Sequence, residues 1–308
     1  LAGGYVTEPT DVAWDALVSD LVPAALSGRS PGFSVAPAAT ASVLDAALDA
    51  ELRSSATSLA AHLAARQGCA RRRTVAWCAV LADVELPAAE LVEAARAAVA
   101  QGATMVKVKV APPARARLTA VCESVEVPVA ADANGSLTIA ELEALDDLGL
   151  AYLEQPLSPT LSWDEWAAVR ASMGTPLALD ESLPSLDAVR SALLAGALDV
   201  VSVKPSRLGG CAAAAAAGAL AVGHGASCFV GGMFELGIGR AAALGVASLE
   251  LFGLPCDLGP SSRYVEPDVC EPLVTDAGGQ MVVPDGPGLG RTPEPERLEV
   301  VTHLLVDG

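Results

Sequence analysis

Three short apolar runs in this sequence each end in a carboxylate. Val127-Pro-Val-Ala-Ala leads into Asp132-Ala-Asn134, Leu150-Ala-Tyr-Leu into Glu154-Gln-Pro156, and Pro176-Leu-Ala-Leu into Asp180-Glu-Ser182. Runs of this length read as buried strands. A buried strand that ends in acid needs a positive partner, because an unpaired buried charge is too costly to keep. The steps from Asp132 to Glu154 and from Glu154 to Asp180 each have the length of one strand plus one helix. Three successive parallel strands would then offer one carboxylate each at the same end of a sheet. Two further runs end in lysine: Thr104-Met-Val-Lys-Val-Lys carries Lys107 and Lys109, and Val200-Val-Ser-Val runs into Lys204.

The stretches between these runs are helical in pattern. From Thr74 onward strands and helices alternate, with strands expected at 74–81, 104–110, 127–131, 152–153, 177–179, 200–203 and 226–230, and a short eighth near 254–258. Helices are expected at 87–101, 115–124, 139–148, 162–173, 186–195, 211–222 and 240–249. Thr138 with Glu141, and Ser162 with Glu165, form capping boxes at two helix starts. Near-unbroken alternation with apolar strands implies a parallel sheet. Chemistry at the strand C-termini suits a closed ring better than an open sheet. The fold class expected is α/β, a (β/α)8-type barrel with a smaller α+β capping lobe.

Three regions follow: residues 1–72 as an N-terminal capping lobe, 73–270 as the catalytic barrel, and 271–308 as a tail returning to the lobe. In the lobe, Trp14, Leu17, Val18, Leu21 and Val22 repeat with helical period, and Pro23 and Gly28 mark the end of that helix. Residues 37–63 read as one alanine-rich helical region. The tail has a hairpin pattern around Gly278-Gly279 and is expected to pack with the lobe at the mouth of the barrel.

A net charge of −18 excludes a nucleic-acid partner, which demands a basic face. Aromatic residues make up 4% and apolar residues 52%, so the core must be Ala, Val and Leu. The seven cysteines have neither zinc nor redox-motif spacing and read as small buried residues of a reduced, cytoplasmic protein. The alanine run from Cys211 is too short for a membrane span and reads as a buried helix. A membrane partner is therefore not expected, and oligomeric state stays open.

Three carboxylates on adjacent strands, Asp132, Glu154 and Asp180, form an all-oxygen set for a hard cation, for which Mg²⁺ is the best match. Mn²⁺ would substitute. Lys107 and Lys109 alternate with valine and so share one face of their strand, the barrel lumen. Burial and a nearby cation would lower the pKa of such a lysine towards that of a useful base. Strands two and six lie four apart in an eight-strand ring, so Lys109 and Lys204 should face each other across the site. That arrangement suits removal of a proton α to a carboxylate.

The set Lys107-Val-Lys109, Asp132-Ala-Asn134, Glu154-Gln-Pro, Asp180-Glu-Ser and Lys204 resembles the enolase superfamily, in its muconate-lactonising branch. A Lys or His base working beside Mg²⁺ is the general pattern of enolase-superfamily sites and is carried over with that resemblance. Lys204-Pro-Ser-Arg207-Leu-Gly-Gly, Gly231-Gly-Met-Phe-Glu235-Leu-Gly-Ile-Gly-Arg240 and Ser262-Arg-Tyr264 are more narrowly similar to the o-succinylbenzoate synthase / N-acylamino acid racemase group.

The resemblance implies Mg²⁺ on Asp132, Glu154 and Asp180, with Lys109 and Lys204 as the acid/base pair. It implies an enediolate intermediate and a small-molecule carboxylate substrate. Lys107, Asn134, Glu181, Arg207, Gly232, Met233 and Glu235 are then the expected substrate contacts or their supports. The leading function is the dehydration of menaquinone synthesis. Racemisation of N-acylamino acids is the alternative, and a non-catalytic barrel that keeps the metal site is a third reading. Leu236 departs from the group's pattern, which has Ser in that substrate-facing loop. The family's first strands and the loop over the substrate have no counterpart in this sequence.

Overall fold

The computed structural model describes residues 9–29, 36–263 and 265–298. Tyr264, named in the motif above, lies outside them.

The chain opens with α1 (Thr10–Ala16), a π-helical turn (Leu17–Leu21) and α2 (Val22–Leu26). Pro23 does not end this helix, contrary to expectation. It lies at the first turn of α2, directly after the π turn, where a missing N–H costs least. The expected single helix at 37–63 is two, α3 (Pro37–Ser54) and α4 (Leu59–Gln67). Ala56, at a φ of 51°, breaks the first, and the Ser58 hydroxyl caps the second.

The expected strand at 74–81 also divides. β1 (Thr74–Val75) pairs antiparallel with a strand of the tail, and β2 (Cys78–Leu81) opens the main sheet. Then follow α5 (Ala88–Ala100), β3 (Met105–Lys109), α6 (Arg115–Cys122), β4 (Val129–Asp132), α7 (Ile139–Glu143), β5 (Leu153–Glu154), α8 (Trp163–Ser172) and β6 (Leu177–Leu179). α9 (Leu186–Leu194), β7 (Val200–Val203), α10 (Pro205–Leu208), α11 (Cys211–Gly223), β8 (Ser227–Val230) and α12 (Gly237–Ala247) complete the alternation, and β9 (Met281–Val282) lies in the tail. Both capping boxes form.

β2 to β8 make one parallel sheet in sequence order. The segment 254–257 closes it. On one side, Leu254 and Asp257 donate their N–H groups to Cys228 and Val230 of β8. On the other, Cys256 donates to Ala76, and Cys78 of β2 donates back to Cys256. The sheet therefore curls into a ring of the (β/α)8 type. Its strands are buried on both faces, as parallel strands covered by helices must be. The alanine-rich α11 packs tightly enough that a Cβ on Gly218 would lie 2.7 Å from the Phe252 ring. Among the described residues no helix is long and apolar enough to cross a membrane. All seven cysteines are free thiols, five of them buried.

The tail touches both ends of the barrel's surroundings. Its hairpin at Asp276–Gln280 meets Trp77, whose Nε1 donates to Gly279 O at 2.9 Å, and packs against Gly102. Trp77 and Gly102 precede β2 and β3, so the hairpin covers the N-terminal ends of the strands rather than the mouth. Further on, Arg53 of α3 donates to Arg291 O at 2.7 Å and Asp49 accepts the Leu289 N–H at 2.7 Å.

Candidate active site

The parallel register sets out the site. Lys109 stands opposite Asp132 across β3 and β4, and Asp132 stands opposite Glu154 across β4 and β5. Asp180 follows the last residue of β6, and Lys204 follows the last residue of β7. β3 and β7 are four strands apart, with the three acid-bearing strands between them.

Each of these carboxylates holds a cation. Lys109 Nζ lies 3.1 Å from Asp132 Oδ2 and donates to Asn134 Oδ1 at 2.6 Å. Lys204 Nζ lies 2.6 Å from Asp180 Oδ2, and Arg207 donates to both the carboxylate and the backbone carbonyl of Asp180. Lys107 Nζ lies 2.6 Å from Glu154 Oε2 and 2.5 Å from Asp257 Oδ2. Beneath it is an aromatic floor, with the ammonium 4.7 Å from the centre of the Phe229 ring and Tyr152 stacked on that ring. A cation over a ring face is attracted by its quadrupole.

Burial pushes Asp180 up, but the charges of Lys204 and Arg207 outweigh it and hold the carboxyl well below the usual range. Glu154 moves the other way. Burial raises it, Lys107 offsets part of this, and Asp132, Asp180 and Asp257 add to the rise, to about 8. Burial would lower Lys107, as expected for a lumen lysine, yet Asp257 and Glu154 outweigh it and hold the ammonium well above its ordinary pKa. Two carboxylates meet Lys107, and their charge sets the direction of its shift.

Backbone conformation aims several of these groups. Gln155 has a φ of 39° and Asn134 a φ of 44°. Gln155 Oε1 accepts the N–H groups of both Asp180 and Ser182 at 3.1 Å, which fixes the turn after β6. Asn134 Nδ2 donates to Glu181 Oε1 at 2.9 Å, and burial with Asp180 and Asp132 nearby raises the Glu181 carboxyl. After β8, Gly231 and Gly232 bring the chain close to Lys204 and Asp257: a Cβ on Gly231 would lie 2.9 Å from Lys204 Cε, and one on Gly232 would lie 2.4 Å from Asp257 O. The Met233 N–H donates to Glu235 Oε1 at 2.8 Å, and Glu235 Oε2 pairs with Arg240 at 3.2 Å.

A small cavity of about 60 Å³ gathers Lys107, Lys109, Asp132, Glu154, Lys204 and Gly232 with Asp257, Phe234 and Arg240. A larger one of about 560 Å³ lies between α3, α12 and the tail. It takes in Glu235 and Leu236 but none of the lysines. Leu236 lines this second cavity, and Phe234 lines the first. The residue that sequence reasoning missed is Asp257. Its signal was present, since Leu254-Pro-Cys-Asp257 is one more short apolar run ending in acid.

Asp132, Glu154 and Asp180 make an all-oxygen donor set, which suits Mg²⁺ or Mn²⁺. Among the described residues no three such groups stand close enough to enclose an ion as they lie, because Glu154 is turned to Lys107 and Asp180 to Lys204 and Arg207. The charge balance still favours a cation. Burial is the main cause of the rise at Glu154, and Asp132, Asp180 and Asp257 add negative charge around it that a divalent cation would offset.

The family model described as enolase C-terminal domain-like matches residues 90–297. An N-succinylamino acid racemase of Amycolatopsis sp is 36% identical over 269 residues, spanning 85% of this chain and 70% of that protein. An o-succinylbenzoate synthase of Geobacillus stearothermophilus is 37% identical over 221 residues, spanning 70% of this chain and 59% of that protein. The crystal structure of an enolase-superfamily protein from Enterococcus faecalis V583 superposes with a TM-score of 0.83 at 26% identity, covering 96% of this chain and 82% of that one. The family match runs through every strand from β3 to β8 and takes in all six of the lysines and carboxylates that line up along them, and this chain belongs to the enolase superfamily.

Proposed function

We propose that this protein is a Mg²⁺-dependent o-succinylbenzoate synthase acting on a small carboxylate substrate, with 73–270 as its catalytic barrel, 1–72 as its capping lobe and 271–308 as a tail returning to that lobe. The observation that carries the reading is the placing of Lys109 and Lys204 four strands apart, with Asp132, Glu154 and Asp180 on the strands between. Several similar proteins carry the synthase name, including that of Bacillus subtilis at 35% identity.

Asp132, Glu154 and Asp180 would hold the ion. When bound, Mg²⁺ supplies positive charge for the substrate carboxylate and for the negative charge that builds as the α-proton leaves. Lys109, in its unprotonated form, takes that proton. Asn134 and Asp132 orient its amine. The same lysine then returns the proton to the departing hydroxyl. The C–O bond breaks, the C=C bond forms, and one water leaves. Lys204, tied to Asp180, serves as fixed positive charge on the other side. Arg207 holds the Asp180 carbonyl and carboxylate and so keeps the far wall in place.

Racemisation of N-succinylamino acids is the second reading. It is favoured by the Amycolatopsis racemase, whose match spans 85% of this chain, and by the presence of a lysine on each side. There one lysine removes the α-proton and the other delivers a proton to the opposite face.

The test is direct. The purified chain with Mg²⁺ should dehydrate the hydroxy-acid precursor of o-succinylbenzoate, followed by absorbance, and lose that activity on chelation. Proton exchange of N-succinylamino acids in D₂O without any dehydration would put the racemase reading in its place.

A further inference from the structure

Asp257 is the one carboxylate of the small cavity that neither the spacing of the strands nor the proposed chemistry uses. It is 8% exposed and sits on the closing segment between β8 and β2. Its backbone is fixed on both sides: the N–H donates to Val230 O at 2.9 Å, and the carbonyl accepts from Arg240 Nη1 at 3.1 Å. Its Oδ2 meets Lys107 Nζ, and its buried Oδ1 has no hydrogen-bond partner. A buried carboxylate oxygen left unpaired is a cost to folding. A buried ion pair is weak evidence for stability, so a second carboxylate on Lys107 calls for a further role.

We infer that Asp257 is a positioning residue that acts through Lys107, dividing its charge so that Glu154 stays available to a divalent cation. Lys107 has two carboxylate partners at nearly equal distance, 2.5 Å to Asp257 and 2.6 Å to Glu154. Without Asp257 the whole ammonium would settle on Glu154. A carboxylate with a lysine to itself is a poorer ligand, because the cation must compete with that lysine for the same oxygens. Asp257 supplies the counter-pull from the opposite wall, and the Phe229 ring below holds the ammonium between the two. This inference rests on the metal site proposed above.

The experiment is a double-mutant cycle read by Mn²⁺ affinity, measured by calorimetric or electron-spin-resonance titration of the full chain without substrate. The four proteins are wild type, Asp257→Asn, Lys107→Gln and the double variant. Such a cycle isolates the term carried by the pair from the general loss of one negative charge. Asp257→Asn should weaken Mn²⁺ binding at least tenfold more in the wild-type background than in the Lys107→Gln background. Equal weakening in both, within about threefold, would overturn the inference, because Asp257 would then act as a distant charge or a structural prop. Where a single variant does not fold, the double variant decides. It removes both charges together and should bind Mn²⁺ no more than threefold more weakly than wild type, and a loss of tenfold or more overturns the inference. Wild type that binds no Mn²⁺, or whose affinity is unmoved by Asp132→Asn, would overturn the metal site and this inference with it. Binding by wild type with no coupling in the cycle overturns the inference alone.

Discussion

Gln155 reaches under Asp180 and holds it by the backbone. Its Oε1 takes the N–H of Asp180 and that of Ser182, while its Nε2 donates to Ser182 Oγ at 2.8 Å and Leu157 O at 3.1 Å. The side chain is fully buried, so no solvent stands ready to replace these bonds. Gln155→Leu keeps the bulk and strips the partners from both N–H groups. Each buried group left unpaired costs about 1–3 kcal/mol. The variant should therefore lose at least ~2 kcal/mol of stability in urea denaturation. An unchanged denaturation midpoint would show that the turn after β6 is held by something else.

Glu154→Gln tests the metal reading from the ligand side. It keeps the shape of the side chain and removes one of the three charges proposed to hold the ion. Mn²⁺ affinity should fall by about tenfold or more, since a hard cation strongly prefers carboxylate to amide oxygen. Activation by Mg²⁺ should shift to correspondingly higher concentration. Equal Mg²⁺ dependence in variant and wild type would remove Glu154 from the site.

Much of this arrangement was legible in the sequence, and the reason is geometric. In a parallel ring, the residue that ends each strand points to one edge, so Asp132, Glu154, Lys109 and Lys204 can be placed by strand ends alone. What spacing does not encode is which partner a side chain chooses. Lys107 was readable as a lumen lysine, but its double grip on Glu154 and Asp257 depends on the far wall of the ring. The sequence marks 254–258 as a short eighth strand, but the pairing of Asp257 with Lys107 is set across the ring and has no local spacing. The tail hairpin was recognisable by Gly278-Gly279, yet its seat at the N-terminal ends of the strands is set by Trp77 and Gly102, long-range contacts with no local pattern.

Two neighbouring glycines should fail in different ways. A Cβ at Gly231 meets the flexible end of Lys204, at 2.9 Å from Cε. Gly231→Ala should therefore displace the lysine and depress activity while stability changes little. A Cβ at Gly232 meets the backbone oxygen of Asp257 at 2.4 Å, and that oxygen belongs to the segment that closes the barrel. Gly232→Ala should lose stability by an overpacking cost of about 1–3 kcal/mol. Parallel thermal unfolding and activity assays check the contrast, and equal effects on both readouts in both variants would count against it.

Asp146 offers a pH test away from the site. Burial raises its carboxyl, but the N–H groups of Gly174 and Thr175 and the Thr175 hydroxyl outweigh this, and its pKa lies below the ordinary value. A carboxyl whose folded pKa is depressed contributes stability above its unfolded pKa and loses it as pH falls through the folded value. The stability gap between wild type and Asp146→Asn should be fully present at pH 7 and shrink below about pH 4, the ordinary carboxylate pKa. Urea titrations at several pH values measure it. A gap that grew on acidification would reverse the sign of the argument.

Lys204→Arg separates the two enzymatic readings. Both reactions begin with loss of a proton next to a carboxylate, and both need Lys109 if it is the base. Dehydration can finish on the same side, where protonated Lys109 helps the hydroxyl leave. Lys204 then contributes only positive charge next to Asp180, and arginine can partly supply that. Racemisation must deliver a proton to the opposite face. Arginine is too weak an acid to do so at neutral pH. Lys204→Arg should therefore abolish racemase activity by several orders of magnitude and leave measurable synthase activity, while Lys109→Arg should abolish both. The assays are dehydration by absorbance and α-proton exchange of N-succinylamino acids in D₂O. Racemisation at near wild-type rate in Lys204→Arg would mean that the second face is served by another group, and the assignment of one lysine to each side would have to be given up.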